Sequence, residues 1–116
     1  MKEEIKRWSK QANADIGLIK ELAKFKRKLS SDIPLSKMIL FGSTATGRAH
    51  RDSDIDLILV SEKFRGQKSF KRSIGFYKYW DLDYPVDFLC YTPEEFNKLK
   101  RQITIVSEAA RKGIEI

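Results

Sequence analysis

The chain has 116 residues and a formal net charge of +7, from 23 Lys and Arg against 16 Asp and Glu. Its hydrophobic fraction of 41% excludes a disordered chain, and its length predicts a single domain over residues 1–116 with no room for a second globule. The basic balance favours phosphate-bearing or acidic partners, but it does not choose among nucleotide, nucleic acid and protein.

The cysteine content and the absence of long apolar runs predict a cytoplasmic protein. Cys90 is the single cysteine, so it cannot form an internal disulfide, which is typical of a reducing interior. The sequence starts without a basic and then apolar leader. No apolar run approaches the roughly 18 residues of a membrane span, and we therefore expect no membrane partner.

Residues 1–30 are predicted to form an N-terminal helical segment, because an apolar stripe with a period near 3.6 runs through its charged residues. The members of this stripe are Ile5, Trp8, Ala12, Ile16, Ile19, Leu22, Ala23 and Leu29. The pattern predicts one or two helices, the second from about Asp15 to Leu29. The run from Ser30 to Pro34 then ends the helix.

Residues 37–91 are predicted to form a sheet region, which opens with a buried strand around Ile39 that ends in a Gly42-Ser43 turn. Glycine lets the backbone approach a phosphate closely. A helix beginning at Ser43 or Thr44 would present free N–H groups and a positive dipole end. Gly42 and Ser43 are therefore predicted to bind phosphate.

Residues 46–53 form a predicted polar loop. Its arginines, Arg48 and Arg51, could neutralise triphosphate charge through bidentate contacts, or they could be solvated loop residues, and the sequence leaves both interpretations open. His50 is predicted to be an exposed loop residue. Asp52 is predicted to be a capping residue, because the register of the next strand favours Asp54 and Asp56 as the metal ligands.

A second predicted strand, ending at Val60, carries Asp54 and Asp56 at its entrance. Side chains alternate along a strand, so these two carboxylates share one face. They would repel each other without a cation, and carboxylate oxygens are ligands that suit Mg²⁺. Asp54 and Asp56 are therefore predicted to bind one or two divalent ions.

The segment from Lys63 to Trp80 is basic and aromatic, and we call it the basic aromatic segment. Its residues include Phe64, Arg65, Lys68, Phe70, Lys71, Arg72, Ile74, Phe76, Tyr77, Lys78 and Tyr79. A helix from Ser69 to Trp80 would pack Phe70, Ile74 and Tyr77 on one face. Alternatively, the interleaved aromatic and basic residues could bind nucleic acid.

A third predicted strand, Pro85 to Tyr91, places Asp87 among apolar residues. A lone carboxylate there is costly unless it is paired, protonated or metal-bound. Asp87 is therefore predicted to be the third metal ligand or a general base.

The sequence after Tyr91 predicts one C-terminal helix over residues 93–112. Thr92, Pro93 and Glu95 are typical of a helix start, and Gly113 is typical of a helix end. The residues expected to be buried are Phe96, Leu99, Ile103, Val106 and Ala110. The tail from Ile114 to Ile116 predicts an edge strand or a docking segment. The element order predicts an α/β (α+β) fold with a mixed sheet of three to four strands and flanking helices, mainly on one face.

Gly42-Ser43, a spacer, Asp54-Ile-Asp56 and a later strand aspartate together resemble the motif of the DNA polymerase beta-like nucleotidyltransferase superfamily. The match is closest to the minimal nucleotidyltransferases of prokaryotes and covers Lys37 to the C-terminus. The resemblance implies that Gly42 and Ser43 hold the triphosphate. It also implies that Asp54 and Asp56 bind two Mg²⁺ ions, with Asp87 in the third carboxylate position.

The resemblance implies a function as well. It implies transfer of AMP from ATP to a tyrosine of a HEPN toxin, with this chain as the antitoxin. Two alternatives stay open from the sequence. The acceptor could be an RNA end or a small molecule, or the chain could be a non-catalytic antitoxin that occludes its toxin. A core this small should also need a partner or a second copy of itself.

Overall fold

A mixed β-sheet forms the centre of the molecule. The structure, a computed structural model, describes residues 16–42, 45 and 54–116, and these contain four strands. The strands are β1 (Lys37–Phe41), β2 (Ile55–Val60), β3 (Val86–Tyr91) and β4 (Ile114–Glu115). They lie in the order β3-β2-β1-β4, with β1 antiparallel to β2 and β4, and β2 parallel to β3. The predicted sheet and the predicted C-terminal edge strand are confirmed.

Helix α1 (Ile16–Ser30) covers one face of the sheet. It buries Leu22, Phe25 and Leu29 against alternate residues of β1 and β2. Those strand residues are Met38, Leu40, Ile55, Leu57 and Leu59. The predicted helix from Asp15 to Leu29 is thereby confirmed, while the earlier part of the N-terminal helical segment lies outside the described residues.

Helices α2 (Pro93–Leu99) and α3 (Ile105–Lys112) cover the opposite face. They contribute Phe96, Val106 and Ala109 to a second core. The strand residues of this core are Ile39, Phe41, Ile58 and Val60. Helices therefore flank both faces, and the expectation that they lie mainly on one face is wrong. The physical reason is that residues 38–41 of β1 and 57–60 of β2 are all apolar, so each face needs a cover. None of the described helices has the length and apolar character needed to cross a membrane.

The prediction of a single helix over residues 93–112 is wrong, because residues 100–104 separate α2 from α3. Thr104 causes the break. Its hydroxyl accepts the Ser107 backbone N–H at 3.0 Å as the N-cap of α3, and it donates to the Leu99 carbonyl at 2.9 Å. Ile103 falls in the connection and is fully exposed, contrary to expectation.

The two ends of this helical region follow the sequence signals. Thr92 and Glu95 form the predicted capping box, with reciprocal hydrogen bonds of 3.1 and 2.9 Å. Gly113 caps the end of α3 as predicted. Within α3 the buried alanine is Ala109 rather than Ala110, because the break at Thr104 changes which residues face the sheet.

The basic aromatic segment does not form the predicted helix from Ser69 to Trp80. It contains short 3₁₀ turns at Ser69–Lys71 and Phe76–Tyr79 instead. Gly75 lies between them with a φ of 89°, a left-handed conformation that an α-helix cannot accommodate. Phe70 and Ile74, predicted to pack, are each 71% exposed.

Other aromatic residues of the segment anchor it to the sheet through Phe88 of β3. The ring of Phe88 has centroid distances of 5.5–6.0 Å to neighbouring rings. Those rings belong to Phe25, Phe76, Tyr77 and Trp80. Edge-on and stacked contacts of this kind stabilise aromatic pairs beyond simple burial. The interpretation that the segment packs on the sheet therefore holds for Phe76 and Trp80 and fails for Phe70 and Ile74.

Arg72 fixes the same segment to the start of α2. Its side chain is only 8% exposed and binds the Glu95 carboxylate through contacts of 2.6 and 3.1 Å. It also donates to the backbone carbonyls of Gln67 and Cys90, both at 3.0 Å. The hydrogen bond with Arg72 is the main reason that the pKa of Glu95 is lowered to about 2. Arg72 is thus a structural residue, whereas the nearby Lys68 and Lys71 are exposed to solvent.

We expect Arg72→Met to lower the free energy of unfolding by about 2 kcal/mol, because two backbone carbonyls lose their buried donor and the half-exposed Glu95 carboxylate loses its partner. Urea denaturation measures this loss. Arg65→Met is the matched control, since Arg65 forms exposed ion pairs with Glu62 and Glu94. Its loss should be clearly smaller, because solvent screens exposed ion pairs. Equal losses in the two variants would show that burial of Arg72 adds nothing.

We also expect the effect of Glu95→Gln to depend on pH. Glutamine keeps the hydrogen bond of the capping box, so the variant isolates the charge. The pKa of Glu95 falls from 4.5 to about 2 on folding, so its charge stabilises the fold fully above pH 4.5 and progressively less as pH falls toward 2. Wild type and variant should therefore converge in free energy of unfolding in acid. A difference in free energy of unfolding between wild type and variant that does not change with pH would contradict a stabilising ion pair.

Candidate active site

The register of β2 and β3 brings two of the predicted carboxylates together. Asp56 and Asp87 are direct partners in this parallel pair. Partner side chains lie on the same face, and neighbouring strands are about 4.8 Å apart. Asp54, the residue before β2, is exposed and lies near enough for its charge to act on Asp56. All three predicted carboxylates thus lie at one end of the sheet.

The electrostatics of the three aspartates show mutual repulsion centred on Asp56. Partial burial raises the pKa of Asp56, and the charges of Asp87 and Asp54 raise it further. A divalent cation would offset this repulsion, and carboxylate oxygens are suitable ligands for Mg²⁺. In the described part of the chain, however, no three acidic, histidine or cysteine side chains already form a metal-binding group. The residues fit a cation by the chemistry of their carboxylate oxygens.

Gly42 lies directly beside the Asp56 carboxylate. Phe41, the last residue of β1, is the register partner of Asp56, and the chain turns immediately afterwards with a Gly42 φ of 79°. A Cβ atom on Gly42 would lie 2.5 Å from Oδ2 of Asp56. Two independent constraints therefore favour glycine here, the positive φ and the close approach of the carboxylate. Beyond this turn the structure describes Ala45, which is buried. Its N–H donates to the Gly42 carbonyl at 3.2 Å.

The rest of the predicted phosphate site cannot be placed. Ser43, Arg48 and Arg51 lie outside the described residues, as do His50 and Asp52. Their roles stay predictions.

A cleft of about 590 Å³ connects these residues to α3. Gly42, Asp56 and Asp87 line one part of it. Its apolar wall is formed by Phe41, Leu89, Tyr91, Ile105 and Ala109, and its polar α3 residues are Glu108 and Lys112. This volume is typical of a small-molecule or cofactor site.

The α3 side of the cleft was not predicted from the sequence. Leu89 and Tyr91 could have been found, because they alternate with Asp87 along β3 and so share its face. Glu108 and Lys112 carry no local signal, since tertiary packing of α3 brings them to the cleft. Cys90 points to the other face, where burial raises the pKa of its thiol to about 12, and it is therefore no nucleophile for this site.

Comparisons with known proteins agree with this arrangement. The sequence profile of nucleotidyltransferase domains matches residues 22–112, a range that includes Gly42 and the three aspartates. The chain is 31% identical over 100 residues to the Haemophilus influenzae protein named probable protein adenylyltransferase MntA, and the match covers 82% of this chain and 85% of that protein.

A structural likeness supports the fold alone. The crystal structure of a Sulfolobus solfataricus protein assigned as a nucleotidyltransferase matches with a TM-score of 0.58. The two proteins are 22% identical, and the match covers 76% of this chain and 77% of the other.

We expect Gly42→Ala to act on the position of Asp56 more than on stability. Alanine at a positive φ costs about 1–2 kcal/mol, and the added Cβ would displace the end of the flexible Asp56 side chain. Gly66→Ala is the matched control, because Gly66 has a φ of 81° and open space around it. We expect Mg²⁺ to raise the thermal midpoint of the wild type. Both variants should lose similar stability, and only Gly42→Ala should also lose this rise. Equal Mg²⁺ responses would contradict this role of Gly42.

Proposed function

Because this chain belongs to the family of nucleotidyltransferase domains, we propose that it transfers AMP from ATP to a hydroxyl group of a partner protein. The observation that carries the proposal is the register pairing of Asp56 with Asp87 beside Gly42. The choice of AMP and of a protein acceptor is supported by the 31% identity to a protein named as a probable protein adenylyltransferase.

The first step of the proposed transfer is removal of a proton by Asp87. Its carboxylate accepts the proton of the acceptor hydroxyl, whose oxygen then forms a bond to the α-phosphorus of ATP. The bond from the α-phosphorus to the oxygen that bridges to the β-phosphorus breaks, and pyrophosphate leaves with the bonding electrons. Asp87 is exposed and lies on the edge strand β3, so a large acceptor can reach it.

The other residues of the proposal bind the nucleotide and its ions. Asp54, Asp56 and Asp87 would hold Mg²⁺, with two ions expected. The metal would supply positive charge that offsets the charge on the carboxylates and the phosphates. The Gly42-Ser43 turn would hold the triphosphate through backbone N–H groups. Arg48 and Arg51 would add positive charge for the triphosphate.

The proposed acceptor is a tyrosine of a HEPN toxin, which would make this chain a cytoplasmic antitoxin. The resemblance of its motif to the minimal nucleotidyltransferases supports this assignment. The open side of the site at β3 supports it as well, because a bulky protein acceptor needs an approach free of covering elements. A non-catalytic antitoxin that only occludes its toxin is the alternative without chemistry.

A second candidate acceptor is an RNA end, and exposed residues of the basic aromatic segment favour it. Phe70 and Tyr77 are exposed aromatics, with Lys71 and Lys78 close by in the sequence and also exposed. Tyr77 donates to the Val86 carbonyl at 3.1 Å, which places its ring at β3, one residue before Asp87. Exposed aromatic rings among lysines can stack bases and bind phosphates.

We expect the purified chain to label a HEPN toxin when it is incubated with Mg²⁺ and ATP carrying ³²P at the α-phosphate. Parallel reactions with labelled GTP, CTP and UTP identify the base, and bulk tRNA replaces the toxin in a separate series. Asp54→Asn and Asp87→Asn should each lower the labelling rate by at least about 100-fold, because each removes a charge that the transfer requires. Both variants should still bind the toxin.

Asp83→Asn is the matched control for these variants, since Asp83 is an exposed aspartate before β3 that lies outside the cleft. It should label the toxin at the wild-type rate. Label on tRNA instead of the toxin would replace the protein acceptor by RNA. Tight binding of the toxin without any label would overturn the enzyme assignment in favour of occlusion.

A further inference from the structure

Lys112 is the only cation among the described residues that line the cleft. Its position follows from the pairing of β4 with β1, in which Ile114 is the antiparallel partner of Leu40. Lys112 is the last residue of α3, two residues before Ile114, and it lines the cleft together with Gly42. Lys112 therefore lies at the same end of the cleft as the proposed phosphate-binding turn.

Gly113 holds Lys112 against this end of the sheet. A Cβ atom on Gly113 would lie 2.8 Å from the Leu40 carbonyl oxygen and 2.6 Å from Cγ2 of Ile39. The backbone after α3 is thus pressed directly onto β1, with no space for a side chain. Two nearby lysines have other roles in this region, because Lys37 pairs with Glu115 and Lys26 donates to the Ile116 carbonyl.

The only ion pair that the described structure gives Lys112 is a weak one. Its Nζ lies 3.5 Å from Oε1 of Glu108, one helical turn earlier, and the two side chains are 63% and 61% exposed. Such an exposed pair breaks at little cost. Lys112 is therefore available to a more highly charged ligand, and Glu108 competes with that ligand.

We propose that Lys112 is a nucleotide-positioning residue that binds the β- or γ-phosphate of the triphosphate, with Glu108 as its competing partner. The inference rests on the proposed function for the identity of the ligand. An ammonium group binds phosphate as a compact point charge and gains most where several negative oxygens meet, as on a triphosphate. It gains little from AMP, which lacks both of these phosphates.

Isothermal titration of the full chain with ATP, inorganic tripolyphosphate and AMP, each with Mg²⁺, tests the assignment. Lys112→Gln should weaken binding of ATP and tripolyphosphate about tenfold and leave AMP binding unchanged. Lys112→Arg should keep most of the affinity, since the charge remains. Glu108→Gln should have the opposite effect and strengthen triphosphate binding about twofold, because it removes the competitor.

The chain offers a matched control pair on α1, on the other face of the sheet. Lys24 and Glu21 also form an exposed ion pair, at 3.2 Å with 59% and 49% exposure. Lys24→Gln and Glu21→Gln change the net charge by the same amounts and should leave all three affinities unchanged. The proposal is overturned if Lys112→Gln binds ATP like the wild type, or if it loses AMP binding to the same degree.

These measurements distinguish a failure of the Lys112 assignment from a failure of the proposed transferase function. If the wild type binds triphosphate with the expected dependence on Lys112 but transfers no label, the transferase assignment fails and the role of Lys112 stands. If the wild type transfers label while Lys112→Gln binds ATP normally, only the role of Lys112 fails. A wild type that binds no triphosphate overturns both.

Discussion

The parallel pairing of β2 with β3 is the constraint on which the candidate site depends. It makes Asp56 and Asp87 direct partners, although they are 31 residues apart in the sequence. Parallel neighbours require a crossover connection, which is usually an α-helix. Here the crossover contains short 3₁₀ turns, and the Phe88 ring contacts and the Arg72–Glu95 ion pair hold it in place. The position of the third carboxylate is thus secured by residues that do not touch the cleft.

The same arrangement concentrates unfavourable charge where the chemistry is proposed. Asp56 is partly buried beside Asp87 and near Asp54, so the charged form of Asp56 is disfavoured and its pKa is raised. The apolar cores on both sides of the sheet stabilise the strands that bear these aspartates. A site that is electrostatically strained on a rigid sheet is typical of a place where a charged ligand binds.

Much of the fold and of the site could be predicted from local sequence patterns. Helix α1 follows from its apolar period, and the strand that carries Asp56 follows from its run of apolar residues. The wrong helix predictions arose where a single residue interrupts an apolar period of about 3.6 residues. Gly75 adopts a positive φ and interrupts the helix expected from Ser69, and Thr104 starts a new helix where one continuous helix was expected. Lys112 could not be predicted, because the packing of α3 and the pairing of β4 with β1 bring it to the cleft.

The long separation between β2 and β3 also bears on how the molecule folds. Closing a connection of this length costs chain entropy before any contact between the strands forms, and non-local pairings of this kind slow folding. The antiparallel contact of β1 with β2 joins residues nearer in sequence, from Phe41 and Asp56 outward. Docking of β3 with its aromatic crossover is therefore expected to be a late folding event. A chain in which only β1 and β2 have paired would hold Gly42 next to Asp56 without Asp87, and the candidate site would be incomplete until β3 docks.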